Sequence, residues 1–261
     1  MTDQSTNNIK VTFLGTGTSI GVPVVACNCA VCKSEDLRDK RFRTSAMLTI
    51  NGRNIVIDCG PDFRIQMLKN NVEDIDAIVF THGHRDHIAG LDDIRAFNYI
   101  LNKNIDVYGS AEVLEAIRTE FPYIFTETRF FGAPQLVTHC IENKPFKVND
   151  VKFTPIEVMH NKLSVFGFRI GDFTYITDAS YIPVEEMVKM KGTKVLVLNA
   201  LRNSRHVSHF SLEEAVEVVE KLMPERTYLT HISHFLGLHE EVEQKLPSHI
   251  RLAHDNLVIE I

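Results

Sequence analysis

An α+β sandwich, two packed sheets with helices on both outer faces (αββα), is the fold class this sequence predicts. Three observations carry the expectation. Short Val- and Ile-containing runs recur along the chain, the early ones in hairpins, and helical patterns follow them. That order approximately repeats in the second half. Finally, 261 residues, 44% hydrophobic and 24% charged, supply ample apolar surface for a core. No linker, low-complexity tract or charge block divides them, so one domain over 1–261 is expected.

Strands are expected over 10–14, 46–50, 54–58, 77–81 and 106–108, each an apolar or alternating run bounded by turn residues. Later ones fall at 135–141, 151–158, 165–170, 174–177, 194–199, 227–230 and 257–261. Asn51-Gly52 and Gly171-Asp172 lie between paired runs and read as hairpin turns. Helices are expected over 61–70, 88–101, 111–119, 184–190, 211–222 and 240–245. The fifth opens on Ser211 with Glu214 three residues on, a capping box that satisfies two orphan backbone donors.

Composition excludes several function classes. The chain carries 28 basic and 34 acidic residues, a net charge of −6, which argues against a general nucleic-acid surface. The one basic cluster, 33–43, is interspersed with Glu35, Asp36 and Asp39 and reads as a solvated face. An anionic substrate would therefore need bound metal for its positive field. No apolar run approaches the ~20 residues of a membrane span. The polar stretch 1–10 lacks the pattern of a signal peptide, so a cytoplasmic location is the default expectation.

The stretch 82–87 packs four metal-binding side chains, His82, His84, Asp86 and His87, into six residues directly after the apolar run 77–80. Burying them as core would carry a heavy polar cost, whereas imidazole and carboxylate are natural ligands of Zn2+ and similar ions. His82 and His84, two apart on a loop, can share one ion. Asp86 and His87, at the start of the next helix, can hold a second. Downstream, His160, Asp178 and His231 each follow an apolar strand, where α/β architectures place their chemistry. The cysteines Cys27, Cys29, Cys32, Cys59 and Cys140 are odd in number, and three of them are crowded together. That speaks for metal rather than disulfides. A structural Zn2+ on Cys27, Cys29 and Cys32 needs a fourth ligand: Cys59, Cys140 or a further histidine.

The His-x-His-x-Asp-His motif at 82–87 resembles the signature of the metallo-β-lactamase superfamily. The resemblance implies the same αββα fold and one His, one Asp and one His downstream. By position, His82, His84 and His160 would hold one ion and Asp86, His87 and His231 the other, with Asp178 and a hydroxide bridging. Asp58, in Asp58-Cys59-Gly60, resembles the superfamily's Asp-x-Gly element. It would orient ligand imidazoles through hydrogen bonds, or else cap the next helix. Gly15-Thr16-Gly17-Thr18-Ser19, Gly21-Val22-Pro23 and the C-x-C-x-x-C run resemble the branch that contains the phosphoribosyl 1,2-cyclic phosphate phosphodiesterase. This branch supplies His234 as the fourth ligand of the structural zinc. The Gly15–Thr18 loop, lacking the third Gly and the Lys of nucleotide loops, reads as a tight turn delivering the chain to the thiols.

The likeness runs along nearly the whole chain, through 163–167, 175–178 and Ile182-Pro183, but fails over 119–134, where a substrate lid would lie. The aromatics there, Phe121, Tyr123, Phe125, Phe130 and Phe131, could stack a base or serve as core. The loop 203–209 offers His206, His209 and a phosphate-binding Arg205. His209 matches a histidine that sits over the substrate in the resembling enzyme, which makes it the proton donor to the leaving alkoxide.

The expected function is a dinuclear metal-dependent phosphodiesterase acting on a small cyclic phosphate or nucleotide-type phosphodiester by attack of a metal-bridged hydroxide. Asp86, Asp178 and His209 would be its catalytic residues. Its cofactors would be two catalytic ions, Zn2+, Mn2+ or Fe2+, and one structural Zn2+. Thioester or lactone hydrolysis at the same metals is the enzymatic alternative. An accessory protein of the quinone-pathway type shares the thiol cluster but can lack the catalytic ligands, all of which stand here. A tRNA 3′-processing nuclease would need a long basic arm that neither charge nor length shows. The expected partner is a small anionic phosphodiester, with no general nucleic-acid binding and no membrane, and with a homodimer as the assembly considered.

Overall fold

In the computed structural model, which describes residues 8–126 and 132–261, the two halves of the chain each build one seven-stranded sheet. The first holds β1 (Ile9–Gly15), β2 (Ser45–Ile50), β3 (Arg53–Ile57), β4 (Ala77–Val79), β5 (Ile105–Gly109) and β6 (Leu136–Cys140). The second holds β7 (Phe146–Val148), β8 (Val151–His160), β9 (Leu163–Ile170), β10 (Phe173–Tyr175), β11 (Val195–Asn199), β12 (Arg226–Thr230) and β13 (Ile250–Leu252). The last strand, β14 (Val258–Glu260), returns to pair with β1. The helices are α1 (Ala30–Lys33), α2 (Phe63–Lys69), α3 (Arg85–Ile88), α4 (Arg95–Leu101), α5 (Ala111–Glu120), α6 (Val184–Met190), α7 (Leu212–Leu222) and α8 (His239–Glu243).

Both sheets follow one plan, which explains the repeat in the sequence. Antiparallel pairs come first, β1–β2–β3 and β7–β8–β9–β10. Parallel strands follow, β3–β4–β5–β6 and β10–β11–β12–β13. The hairpin turns fall at Asn51-Gly52 and Gly171-Asp172, where Asn51, Gly52 and Gly171 adopt positive φ. Between the sheets lies one apolar layer that includes Phe13, Phe153, Phe168, Phe173 and Tyr175. Phe63, Leu91 and Ile117 pack on the outer face of the first sheet, Met190, Val219 and Val242 on that of the second. The four-layer αββα sandwich follows from these three clusters.

Three expectations are corrected. The helix expected over 88–101 is broken into α3, a 3-10 turn at Leu91–Ile94 and α4. Gly90 marks the break, packed so closely that a Cβ there would meet the carbonyl of Gly60 at 2.1 Å. Short strands β7 and β13 lie outside the expected set: each alternates apolar and basic residues, but over three residues only, too short a run to stand out. The cluster at 33–43 is not uniformly a solvated face, since Asp39 and Arg41 are buried. Arg41 is held there by three acceptors distant in sequence: it donates to Thr16 Oγ1 at 2.8 Å, the Ala253 carbonyl at 2.5 Å and His239 Nδ1 at 3.0 Å. Ser211 and Glu214 form the expected capping box. Among the described residues no helix is long and apolar enough to cross a membrane. Phe121 packs in the outer core of the first sheet, Tyr123 and Phe125 are partly exposed, and Phe130 and Phe131 lie outside the described residues.

Candidate metal centre

The C-terminal ends of β3, β4, β10 and β12 meet at one edge of the sandwich, and each delivers a site residue. Asp58 follows β3, Thr81 and His82 follow β4 closely, Asp178 follows β10 and His231 follows β12. Asp58, Asp178 and His231 all sit at left-handed φ, +62°, +58° and +55°. Non-glycine residues rarely adopt this conformation, which turns each side chain off its strand and into the cluster. Close approach matters as well. A Cβ on Gly60 would meet the Asp86 carbonyl at 2.0 Å, so a glycine is needed for the ligand loop to lie against the end of β3.

The expected ligands converge. His82, His84 and His160 place one donor atom each within 4.8 Å of one another, as do Asp86, His87 and His231. Asp178 lies between the two groups. Its Oδ2 is 3.3 Å from His87 Nε2 and its Oδ1 is 3.1 Å from His231 Nε2, both in the second group. Its carboxylate is also within 4.8 Å of donor atoms of His82 and His160 in the first. Asp86 Oδ2 lies 3.2 Å from His87 Nε2, and His82 Nε2 lies 3.1 Å from His84 Nδ1. Outer partners aim several rings. His87 Nδ1 is 2.7 Å from Asp58 Oδ2, His82 Nδ1 is 3.0 Å from Thr81 Oγ1, and His160 Nδ1 donates to the Ser208 carbonyl at 2.7 Å. Asp58 in turn accepts from the backbone N–H and the hydroxyl of Thr81, both at 2.8 Å. It therefore orients ligands and does not cap α2, whose N-cap is Asp62.

The donor set fits divalent ions. The buried Nε2 of His87 and both ring nitrogens of His231 make no hydrogen bond, which is costly without a further partner. Burial opposes charging His87, yet Asp178, Asp58 and Asp86 prevail and push its pKa well above the usual histidine range. So much negative charge around one ring is completed by a cation. Burial works against Asp178 as well, but His231 and His87 hold its carboxyl well below the usual range. His82 is kept neutral by burial and by the His87 ring, the form in which imidazole ligates a metal.

The histidine loop after β11 is split by the structure. His209 is buried, its Nδ1 3.7 Å from Asp178 Oδ1 and its ring 4.7 Å from that of His231 and 4.6 Å from that of His160. Burial, then the neighbouring His231 ring, lowers its pKa to about 2. His206 lies behind it, its ring tilted by 35° with centroids 5.3 Å apart. Arg205 is exposed and spends its charge on Glu214 at 3.1 Å, away from the ligand cluster.

The second cluster closes as expected from the resemblance. His234 Nδ1 lies 3.3 Å from Cys27 Sγ, 3.4 Å from Cys29 Sγ and 3.5 Å from Cys32 Sγ. Cys59 is buried in the outer core and Cys140 is exposed, so neither competes for the fourth position. The backbone N–H of Cys32, with His234, lowers the Cys29 thiol to about 6. Residues 231–234 form one strap between the two clusters. The Gly15–Thr18 segment does more than turn: it splints that strap, with Ile232 N donating to the Thr16 carbonyl at 2.9 Å and Thr18 N to the Ile232 carbonyl at 3.1 Å. Sequence reasoning missed Thr81, the Ser208 carbonyl and the Arg41–His239 pair, because nothing in their local pattern marks them.

Comparison with known proteins agrees with this geometry. The profile of the beta-lactamase superfamily domain matches residues 53–232. A solved structure described as a new diphosphatase from the PhnP family is 40% identical, with a TM-score of 0.91 and 97% of each chain covered. An octanoyltransferase of Porphyromonas gingivalis is 38% identical over 252 residues, covering 95% of this chain and 51% of its own length. A ribonuclease Z of Clostridium acetobutylicum is 32% identical over 133 residues, 46% of this chain and 41% of that protein. The chain thus spans about half the length, or less, of these curated relatives. On the profile match, the near-complete likeness to the PhnP-family structure and the two-sheet fold, the chain belongs to the metallo-β-lactamase superfamily of metal-dependent hydrolases.

Proposed function

We propose that the chain is a dinuclear metal-dependent phosphodiesterase that hydrolyses a small cyclic phosphate or a nucleotide-type phosphodiester. One observation carries the reading: two three-donor groups, His82–His84–His160 and Asp86–His87–His231, stand side by side, with the carboxylate of Asp178 within 4.8 Å of donor atoms of both. Divalent ions in such a pair of sites, Zn2+ or Mn2+, supply a water-derived nucleophile at neutral pH and neutralise phosphoryl oxygens. Asp178, near donors of both groups, would keep the two donor sets in register. Asp86 completes the second group from the first turn of α3. His209, beside Asp178 and with His206 behind it, is placed against the leaving oxygen; neutral in the free protein, it would give a proton there only once the charge of a bound phosphate has raised its pKa. Cys27, Cys29, Cys32 and His234 would hold a structural Zn2+, which would anchor the strap that carries His231. Thiolates in that role suit a reducing, cytoplasmic setting.

The relatives' names support phosphoric-bond cleavage, since one is a diphosphatase and another a ribonuclease. The octanoyltransferase has about as much chain outside the match as inside it, and we assign the acyl transfer in its name to that remainder. The test is to strip the protein with chelator, reload it with Zn2+ or Mn2+, and assay it on a panel. Cyclic phosphates, nucleotide phosphodiesters, dinucleoside diphosphates, thioesters and lactones belong in that panel. Metal-dependent turnover of a phosphodiester is the expected result. Preferential thioester or lactone hydrolysis would establish the alternative instead.

A further inference from the structure

A cleft of about 720 Å³ opens beside His82 and His84, on the side of the cluster away from the 202–209 loop. Its walls are apolar: Val113 and Ala116 of α5 face Leu163 and Val165 of β9. Beyond His82 and His84 its charged groups are carboxylates, and none of the described residues lining it is a lysine or arginine. Glu112 is exposed in the first turn of α5, where the backbone N–H and the Ser110 hydroxyl hold its carboxyl below the usual range. Glu157 has both oxygens engaged, Oε1 by Ser164 at 2.5 Å and Oε2 by Asn143 at 2.9 Å. Glu142 is exposed and shares its charge with Lys144 at 2.7 Å. The other flank of the cluster carries His209 and His206.

Building on the phosphodiesterase reading, we infer that this cleft receives the uncharged end of the substrate, an apolar or hydroxylated alcohol-derived group without a second phosphate or carboxylate. A further anionic group there would face Glu112 and Glu157 between apolar walls, with no lysine or arginine of the lining to offset it. A hydroxylated one would find acceptors, since ionised carboxylates only accept hydrogen bonds. Its carbon skeleton would bury against Val113, Ala116, Leu163 and Val165. The one charge the site must neutralise is then at the metal ligands, and Glu112 acts as a specificity residue against doubly anionic substrates.

Calorimetric binding of phenyl phosphate and 4-carboxyphenyl phosphate to the zinc-loaded protein tests this. The two ligands share the phosphate and differ by one carboxylate. The carboxylate should weaken binding by about tenfold. Glu112→Lys should narrow that ratio by a similar factor, and Leu163→Trp, which fills the cleft, should weaken phenyl phosphate. Circular dichroism checks that each variant is folded. Equal affinities for both ligands, or a ratio that Glu112→Lys leaves unmoved, would overturn the cleft assignment while leaving the phosphate site standing. Failure of phenyl phosphate to bind would overturn the phosphate-site reading and the cleft assignment with it.

Discussion

The carboxylate of Asp58 lies 2.7 Å from Nδ1 of His87, and both residues are fully buried. Asp58 thereby fixes the ring that faces Asp86 on one side and Asp178 on the other. It has no metal-ligating neighbour in sequence. Its influence on the second ion passes through one imidazole and, through Thr81, through the loop that carries His82.

Asp58→Asn should therefore lower the affinity of the Asp86–His87–His231 group for its ion by roughly 10–100-fold, the usual cost of losing an outer partner. Metal held by the thiols should be unaffected. Titration with a competing chelator measures both. An affinity equal to wild type would confine Asp58 to loop architecture.

Much of this site was legible because metal chemistry restricts residue type so strongly. Four ligands in six residues and single His or Asp residues after apolar strands stand out against ordinary sequence, and the structure gathers all seven. What escaped notice was backbone geometry. The left-handed φ of Asp58, Asp178 and His231 arises where a strand must turn sharply, and no pattern of side chains announces it. The break at Gly90 was hidden for a similar reason, since its N–H donates at 2.8 Å to the carbonyl of Cys59, distant in sequence, rather than within a continuing helix. Arg41 looked solvent-facing because a charged residue in a charged run usually is. Its burial depends on acceptors from Thr16, Ala253 and His239, all distant in sequence.

Cys29→Ser should lower thermal stability and reduce bound metal from three ions per chain to two, as read by elemental analysis. A structural site contributes directly to folding free energy, and its loss frees the strap 231–234 at one end. A melting temperature and metal content equal to wild type would refute a structural zinc at this cluster.

The Arg41–His239 pair makes a pH prediction. His239 Nδ1 accepts from Arg41 at 3.0 Å, so the ring must be neutral; Glu243 at 3.5 Å and the His254 ring, with centroids 6.0 Å apart, are its other titratable neighbours. Burial, then Arg41, lowers its pKa from 6.5 to about 4. Because the unfolded chain binds that proton more readily, the contribution is fully present above pH 6.5 and lost as pH falls toward 4. Roughly 3 kcal/mol is at stake at most. Urea denaturation of the metal-free protein across that range should show a steeper loss for wild type than for His239→Gln, whose amide oxygen accepts from Arg41 at any pH. Parallel curves would remove His239 from the acid-labile groups.

His209 offers the most discriminating test of mechanism. It stands 3.7 Å from Asp178, and its buried Nδ1 makes no hydrogen bond, so it is free to serve a substrate. If it protonates the leaving oxygen, His209→Ala should reduce kcat on an alkyl phosphodiester by about a hundredfold or more. A nitrophenyl ester, whose leaving group departs without help, should lose far less. Metal content should stay at the wild-type value. The last point matters because His160, Asp178 and His209 also place their donor atoms within 4.8 Å of one another. Loss of an ion in the variant would make His209 a ligand. Equal losses on the two esters would make it a phosphate-positioning group, and undiminished rates on both would pass the proton to His206 or to solvent.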